Sequence, residues 1–294
     1  LRLGDLIVEL KLVNSTVDLS GLLIMGIIDL NTDDPLDLEE IAEIASGYAA
    51  SGATFVELSV NKHKRDACSQ DAEIDMLCAA LETIKDIELI PAVYTSDPVI
   101  MRKVVECGAQ MIVDPLALTQ PGALEAVAEI KCAVCMLMDQ SVNFTEDDCC
   151  DPCATVSEFF YERLDACINA HIDRQRIVLD PMISIDTSVD FRLKMFGRLN
   201  TFNSFGLPIS CALPRMVAEK GNINQSMSIV ATVAIFAEQQ GVRMIRTNRV
   251  YDIALVINSW HALNHSARPF KLSRAIGRRL KELALGRLKK NENK

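Results

Sequence analysis

Short apolar runs in this sequence repeatedly end on a side chain that can carry charge or a hydrogen bond. Asp29 follows LLIMGII, Glu57 lies in ATFVELSV, and Asp114 closes QMIVD. Asp139 closes CAVCMLMD, Asp180 closes RIVLD, and Arg246 lies in MIRTN. Tyr94, Arg215 and Asn248 hold comparable places. A carboxylate so placed can accept from N–H donors or hold a hard cation, and an arginine fork suits an anion. The bland reading is a strand-end cap for an acid and a rim salt bridge for an arginine. A second group is Cys149-Cys150-Asp151-Pro152-Cys153. With a fourth ligand it could bind zinc, but cysteines alone at this spacing are an incomplete site. The other reading is a reduced, redox-sensitive loop.

These residues need elements to hold them. Candidate strands are 22–30, 53–60, 89–95, 110–115, 132–139, 176–181, 208–213 and 244–248. Each is nearly continuous in apolar residues, as expected of a parallel strand covered on both faces. Between them run helical patterns such as LDLEEIAEIASGYAA, AEIDMLCAALETI and SIVATVAIFAEQQG, the last stopping at Gly241. Eight strand–helix units in 294 residues predict a (β/α)₈ TIM barrel of the α/β class. The alternative is an open doubly wound sheet. In the barrel, the strand-end residues named above would gather at one mouth, where such folds place their sites.

Composition narrows the classes. With 49% apolar and 24% charged residues, the chain can bury a sizeable core. No apolar run reaches the ~18 residues that span a bilayer, and no secretory leader is visible. The expected location is the cytoplasm, although the chain opens on LRLGD rather than methionine, which leaves a removed leader open. Ten cysteines do not make a disulfide scaffold in such a chain; Cys132, Cys135 and Cys211 sit in apolar runs as small hydrophobes. Cys132 and Cys135 would face opposite sides of their strand.

Charge is uneven. Residues 266–294 hold ten Lys/Arg and two Glu, a net +8, which leaves −18 for the rest of a chain whose total is −10. We therefore divide the chain into a barrel, 1–265, and a basic amphipathic C-terminal tail, 266–294. Leu272, Ile276, Leu280, Leu283 and Leu288 recur among the tail's basic residues. It could meet an acidic partner, nucleic acid or anionic lipid, or dock on an acidic barrel.

The order of segments resembles dihydropteroate synthase, the folate-pathway enzyme, over roughly residues 15–263. MGIIDLNTDD (25–34) is similar to that family's first-strand motif, and SGATFVELSVNKHKRDA (51–67) to its second. CGAQMIVDPLALTQPGALEAVAE (107–129) and FFYERLDACINAHIDRQRIVLDP (159–181) are similar to its fourth unit and sixth strand. GLPISCALPRM (206–216) falls on the Ser-Arg-Lys segment, and QQGVRMIRTNRVYD (239–252) on the Gly-Ala-x-x-x-Arg-x-His-Asp-Val segment.

The resemblance implies condensation of a pterin-methyl pyrophosphate with p-aminobenzoate, a homodimer, and Mg²⁺. It implies that Asp180 binds the ring and that Arg246, Arg215 and Lys64 hold anions. It places Asn248 and Asp114 in the substrate site and Asp29 on the metal. Several positions depart from the family pattern. Tyr94 replaces an aspartate, Val113 an asparagine and Met216 a lysine. Asn248 and Arg249 replace a histidine and an aspartate, and Glu57 a second-strand aspartate. Asp29 replaces an asparagine, His63-Lys64 a Thr-Arg, and Ile183-Ser184-Ile185-Asp186 a glycine-rich loop with lysine. Tyr94, Val113 and Met216 would remove hydrogen-bonding groups from three sides of one pocket. Two other readings follow: an inactive paralogue that binds a partner, and a folate-dependent methyltransferase acting on a corrinoid.

Overall fold

The computed structural model describes residues 8–30, 37–60, 69–138, 151–181, 189–213 and 227–267. The chain divides into two units, Leu1–Val256 and Ile257–Lys294. The first contains all the strands among the described residues. The described part of the second is the C-terminal portion of one helix.

A hairpin comes first, β1 (Glu9–Lys11) against β2 (Thr16–Asp18). Eight parallel strands follow: β3 (Leu23–Asp29), β4 (Phe55–Ser59), β5 (Ile90–Tyr94), β6 (Met111–Asp114), β7 (Ala133–Leu137), β8 (Ile177–Asp180), β9 (Ser210–Ala212) and β10 (Met244–Thr247). Their order is β8-β7-β6-β5-β4-β3-β10-β9, and a parallel bridge from Leu179 to Ile209 joins the ends. This is the expected TIM barrel, and every predicted strand falls on an observed one. The hairpin was not predicted; its strands are three residues long, too short for periodicity to register.

Helices alternate with the strands: α1 (Leu38–Ala50), α2 (Gln70–Ile84), α3 (Pro98–Glu106), α4 (Ala123–Ile130), α5 (Pro152–Asn169), α6 (Val189–Phe196), α7 (Met227–Gln239) and α8 (Val250–Ala267). Their starts follow local chemistry. The Asp37 carboxylate accepts from the Glu40 amide at 2.8 Å while the Glu40 carboxylate accepts from the Asp37 amide at 3.0 Å, a capping box for α1. Asp97 caps α3, with Pro98 at its first turn, where a missing N–H costs nothing. Past α7, Gly241 takes φ +92°, and a Cβ there would meet the Asn203 side chain at 2.5 Å. The predicted glycine stop is thus needed for both conformation and space.

The barrel interior is apolar at its N-terminal end. Met25, Phe55, Ala92, Met111, Ala133, Val178 and Met244 form one buried cluster with Leu10, Leu12 and Leu19 of the hairpin. Leu23 and Ile90, which begin their strands, pack against the same cluster. The hairpin therefore plugs the floor. Burying one such leucine contributes about 1.5–3 kcal/mol.

Among the described residues one disulfide, Cys78–Cys107, links α2 to the residue capping α3, with Cα atoms 5.4 Å apart. Cys132, Cys135, Cys153, Cys167 and Cys211 are free and buried, in keeping with the expectation for the apolar-run cysteines. Cys135 belongs to the interior cluster, while the Cys132 carbonyl accepts from Arg176 Nε at 2.7 Å.

Candidate functional site

Strand parity builds the site. Side chains two apart on a strand share a face. Phe55, Val178 and Met244 are in the interior cluster. Two residues further along, Glu57, Asp180 and Arg246 enter the same interior, one layer nearer the C-terminal mouth. Nothing in the apolar layer below can pair them, so they pair one another.

They do so completely on the arginine side. Arg246 Nε donates to Glu57 Oε2 at 2.7 Å and Nη2 to Glu57 Oε1 at 2.9 Å, a two-bond fork. Arg246 Nη1 donates to Asp180 Oδ2 at 3.0 Å. The same Asp180 oxygen accepts from Ser210 Oγ at 3.3 Å. Glu57, Asp180 and Arg246 are 2%, 1% and 1% exposed, so water does little to screen them. Among the described residues of this network, two carboxylates share one guanidinium. Burial alone would lower the arginine's pKa, but the charges of Glu57 and Asp180 outweigh it and hold it well above its ordinary value. Nearby Cys135 and Cys211 are pushed far up, first by burial and then by the Asp180 charge, against a smaller opposing effect of Arg246. They stand beside the network as neutral thiols.

Beside this network the wall is apolar. Tyr94 is 5% exposed and Val113 fully buried; they are register partners on β5 and β6, and Val113 pairs in turn with Cys135. Asp114, one residue after Val113, has the opposite parity. Its Oδ1 accepts from the Leu116 amide and its Oδ2 from the Leu118 amide, both at 2.8 Å, so its carboxylate organises the loop that follows β6. Asp29 is half-buried at the end of β3, level with Ser59. Tyr48 ties that strand to the end of β10: its hydroxyl is 3.0 Å from the Ile27 carbonyl and 3.3 Å from that of Asn248. Its ring covers Gly26, where a Cβ would come within 2.2 Å of it. Asn248 itself is exposed just past the strand.

Of the residues expected at the site, Asp180 and Arg246 are brought into direct contact. Lys64, Arg215, His63, Asp139, Cys149, Cys150, Met216, the loop 183–186 and residues 268–294 lie outside the described residues. Cys153 is buried, its sulfur 3.8 Å from Met195 Sδ. Among the described residues no cluster of three or more metal-binding side chains forms. Glu57 and Ser210 were not counted among the binding residues. Parity from Phe55 could have found the first, and the serine in the otherwise apolar PISCAL run the second.

Comparison with known proteins gives the family. Residues 30–248 match the family model described as pterin binding enzyme. The chain is 27% identical over 254 residues to the dihydropteroate synthase of Escherichia coli K12, covering 81% of this chain and 90% of that protein. It is 24% identical over 274 residues to the Haemophilus influenzae dihydropteroate synthase, covering 85% and 96%. In fold it is similar to Xanthomonas albilineans dihydropteroate synthase in complex with 7,8-dihydropteroate, at TM-score 0.77 and 23% identity over 89% of this chain and 100% of that one. It is also similar to the Coxiella burnetii enzyme in complex with pteroic acid, at 0.76 and 24% over 85% and 96%. Residues 30–248 run from the end of β3 to just past β10 and enclose Glu57, Asp180 and Arg246, and the chain belongs to the pterin-binding enzyme family, as a relative of the dihydropteroate synthases.

Proposed function

We propose that this barrel is a divergent dihydropteroate synthase-type transferase of the folate pathway. The observation that carries the reading is Asp180: a carboxylate at the C-terminal end of β8, buried and charge-paired in the barrel interior. A carboxylate there suits the N–H edge of a pterin ring. The chain's likeness to the E. coli enzyme over 90% of that enzyme's length adds to it.

In the proposed reaction the amino nitrogen of p-aminobenzoate attacks the pterin methylene carbon. The carbon–oxygen bond to pyrophosphate breaks, its electron pair leaves with pyrophosphate, and the arylamine loses a proton. Asp180 orients the ring so that the methylene faces the mouth. Lys64 and Arg215 are proposed to meet the anion, with Asn248 at the rim. Asp29 would hold Mg²⁺, whose chemistry is to neutralise charge on the departing pyrophosphate. A single carboxylate fits that ion, which keeps several waters and takes substrate phosphates as ligands.

A second reading, a ligand-binding barrel without turnover, is favoured by Tyr94 and Val113. An unmet polar ring atom costs about 1–3 kcal/mol, or roughly 5- to 150-fold in affinity. Pyrophosphate release from the pterin-methyl pyrophosphate, with p-aminobenzoate and Mg²⁺, separates the two. Release that depends on p-aminobenzoate and vanishes in Asp180→Ala supports the transferase. Binding with no release supports the second reading.

A further inference from the structure

We infer that Glu57 and Arg246 form a crossbar that positions Asp180, with the ligand's anion held elsewhere, an assignment that rests on Asp180 meeting the pterin ring as proposed above. Around the closed sheet β4 and β8 are four strands apart in either direction, so they form opposite walls. Arg246, from β10, reaches both. Its fork takes Glu57 on one wall and its remaining nitrogen takes Asp180 on the other. Each of its three nitrogens is engaged with a carboxylate, and it is 1% exposed. Turning the guanidinium toward a phosphate at the mouth would break a charge-assisted fork between buried side chains.

The crossbar has a specific use. Asp180 serves a ring N–H edge only as a carboxylate in one orientation. Nη1 fixes Oδ2, Ser210 braces the same oxygen, and Glu57 fixes the plane of the guanidinium that makes this possible. Glu57 and Arg246 are therefore positioning residues.

The test compares two ligands, the 6-hydroxymethyl pterin and its pyrophosphate, on wild type, Glu57→Gln and Arg246→Lys. Arg246→Lys keeps the charge but loses the fork. The crossbar predicts that each variant loses affinity for both ligands by the same factor, about tenfold or more. Loss confined to the pyrophosphate, or affinity kept in Arg246→Lys, would overturn it. A ligand-free readout is the carboxyl ¹³C signal of Asp180, assigned by its disappearance in Asp180→Asn. It should move in Glu57→Gln, because the Glu57 fork holds the guanidinium whose Nη1 bonds Asp180. If wild type binds neither ligand, the proposed function falls. The carboxyl signal then decides the crossbar alone: a shift supports it, and an unmoved signal rejects it.

Discussion

The two ends of this barrel solve the same problem by opposite means. At the floor, Leu10, Leu12 and Leu19 of the β1–β2 hairpin close the interior with apolar surface. One layer below the mouth, Glu57, Asp180 and Arg246 close it with charge. The ion pairs at the two ends differ as well. At the floor, Lys11 meets Asp173 at 2.7 Å with both side chains near 45% exposed, whereas the mouth's network is 1–3% exposed. An apolar plug can lose one side chain and partly collapse. A buried three-charge network has no graded failure, because removing one member leaves another charge unpaired. The floor thus rests on apolar packing, while the mouth rests on a charge network that is costly to build and, under the proposed function, presents Asp180 to the ligand.

That contrast predicts a ranking. Arg246→Met should be the most damaging, by about 3–5 kcal/mol in urea unfolding, since two buried carboxylates both lose the guanidinium that bonds them. A loss below about 1 kcal/mol would mean that the network is not dry. Leu10→Ala should cost about 2–4 kcal/mol by the same measurement, without altering ligand affinity, because the cavity opens at the far end.

Third comes alkaline pH. Burial pushes the Cys132 thiol to about 12 and the Cys167 thiol to about 11, against an ordinary value of 9.0. Above that value the unfolded chain releases protons that the native state keeps, so stability falls as pH rises. The expected loss between pH 8 and pH 10 is about 1 kcal/mol for each thiol. Unfolding midpoints at the two pH values, with Cys132→Ala as a control, check the sign. Smallest is Lys11→Ala. Lys11 depresses the Asp173 pKa, but the pair is largely in water, so we expect a loss of no more than about 1 kcal/mol, and less in high salt.

The sequence made the barrel legible because each parallel strand is a buried apolar run, which survives without any alignment. It made Asp180 and Arg246 legible because each interrupts such a run. It did not show that Arg246 faces two carboxylates, since pairing with side chains two strands away on either side has no signature in linear spacing. Glu57 looked like one more rim acid until Phe55, two residues earlier, proved to be in the interior cluster. Asp114 shows the converse. It has the residue type and the strand-end place, but odd parity turns it to its own loop, where it holds the amides of Leu116 and Leu118. Strand-end position nominates a residue; parity decides whether it can meet a ligand.

The most direct test of the account is a calorimetric titration of the full chain with the pterin-methyl pyrophosphate and Mg²⁺, repeated on Asp180→Ala. The account predicts binding by the wild-type protein in the micromolar range, about −8 kcal/mol, that disappears in the variant. Absence of heat from wild type at high ligand concentration, or unchanged binding in Asp180→Ala, would contradict it.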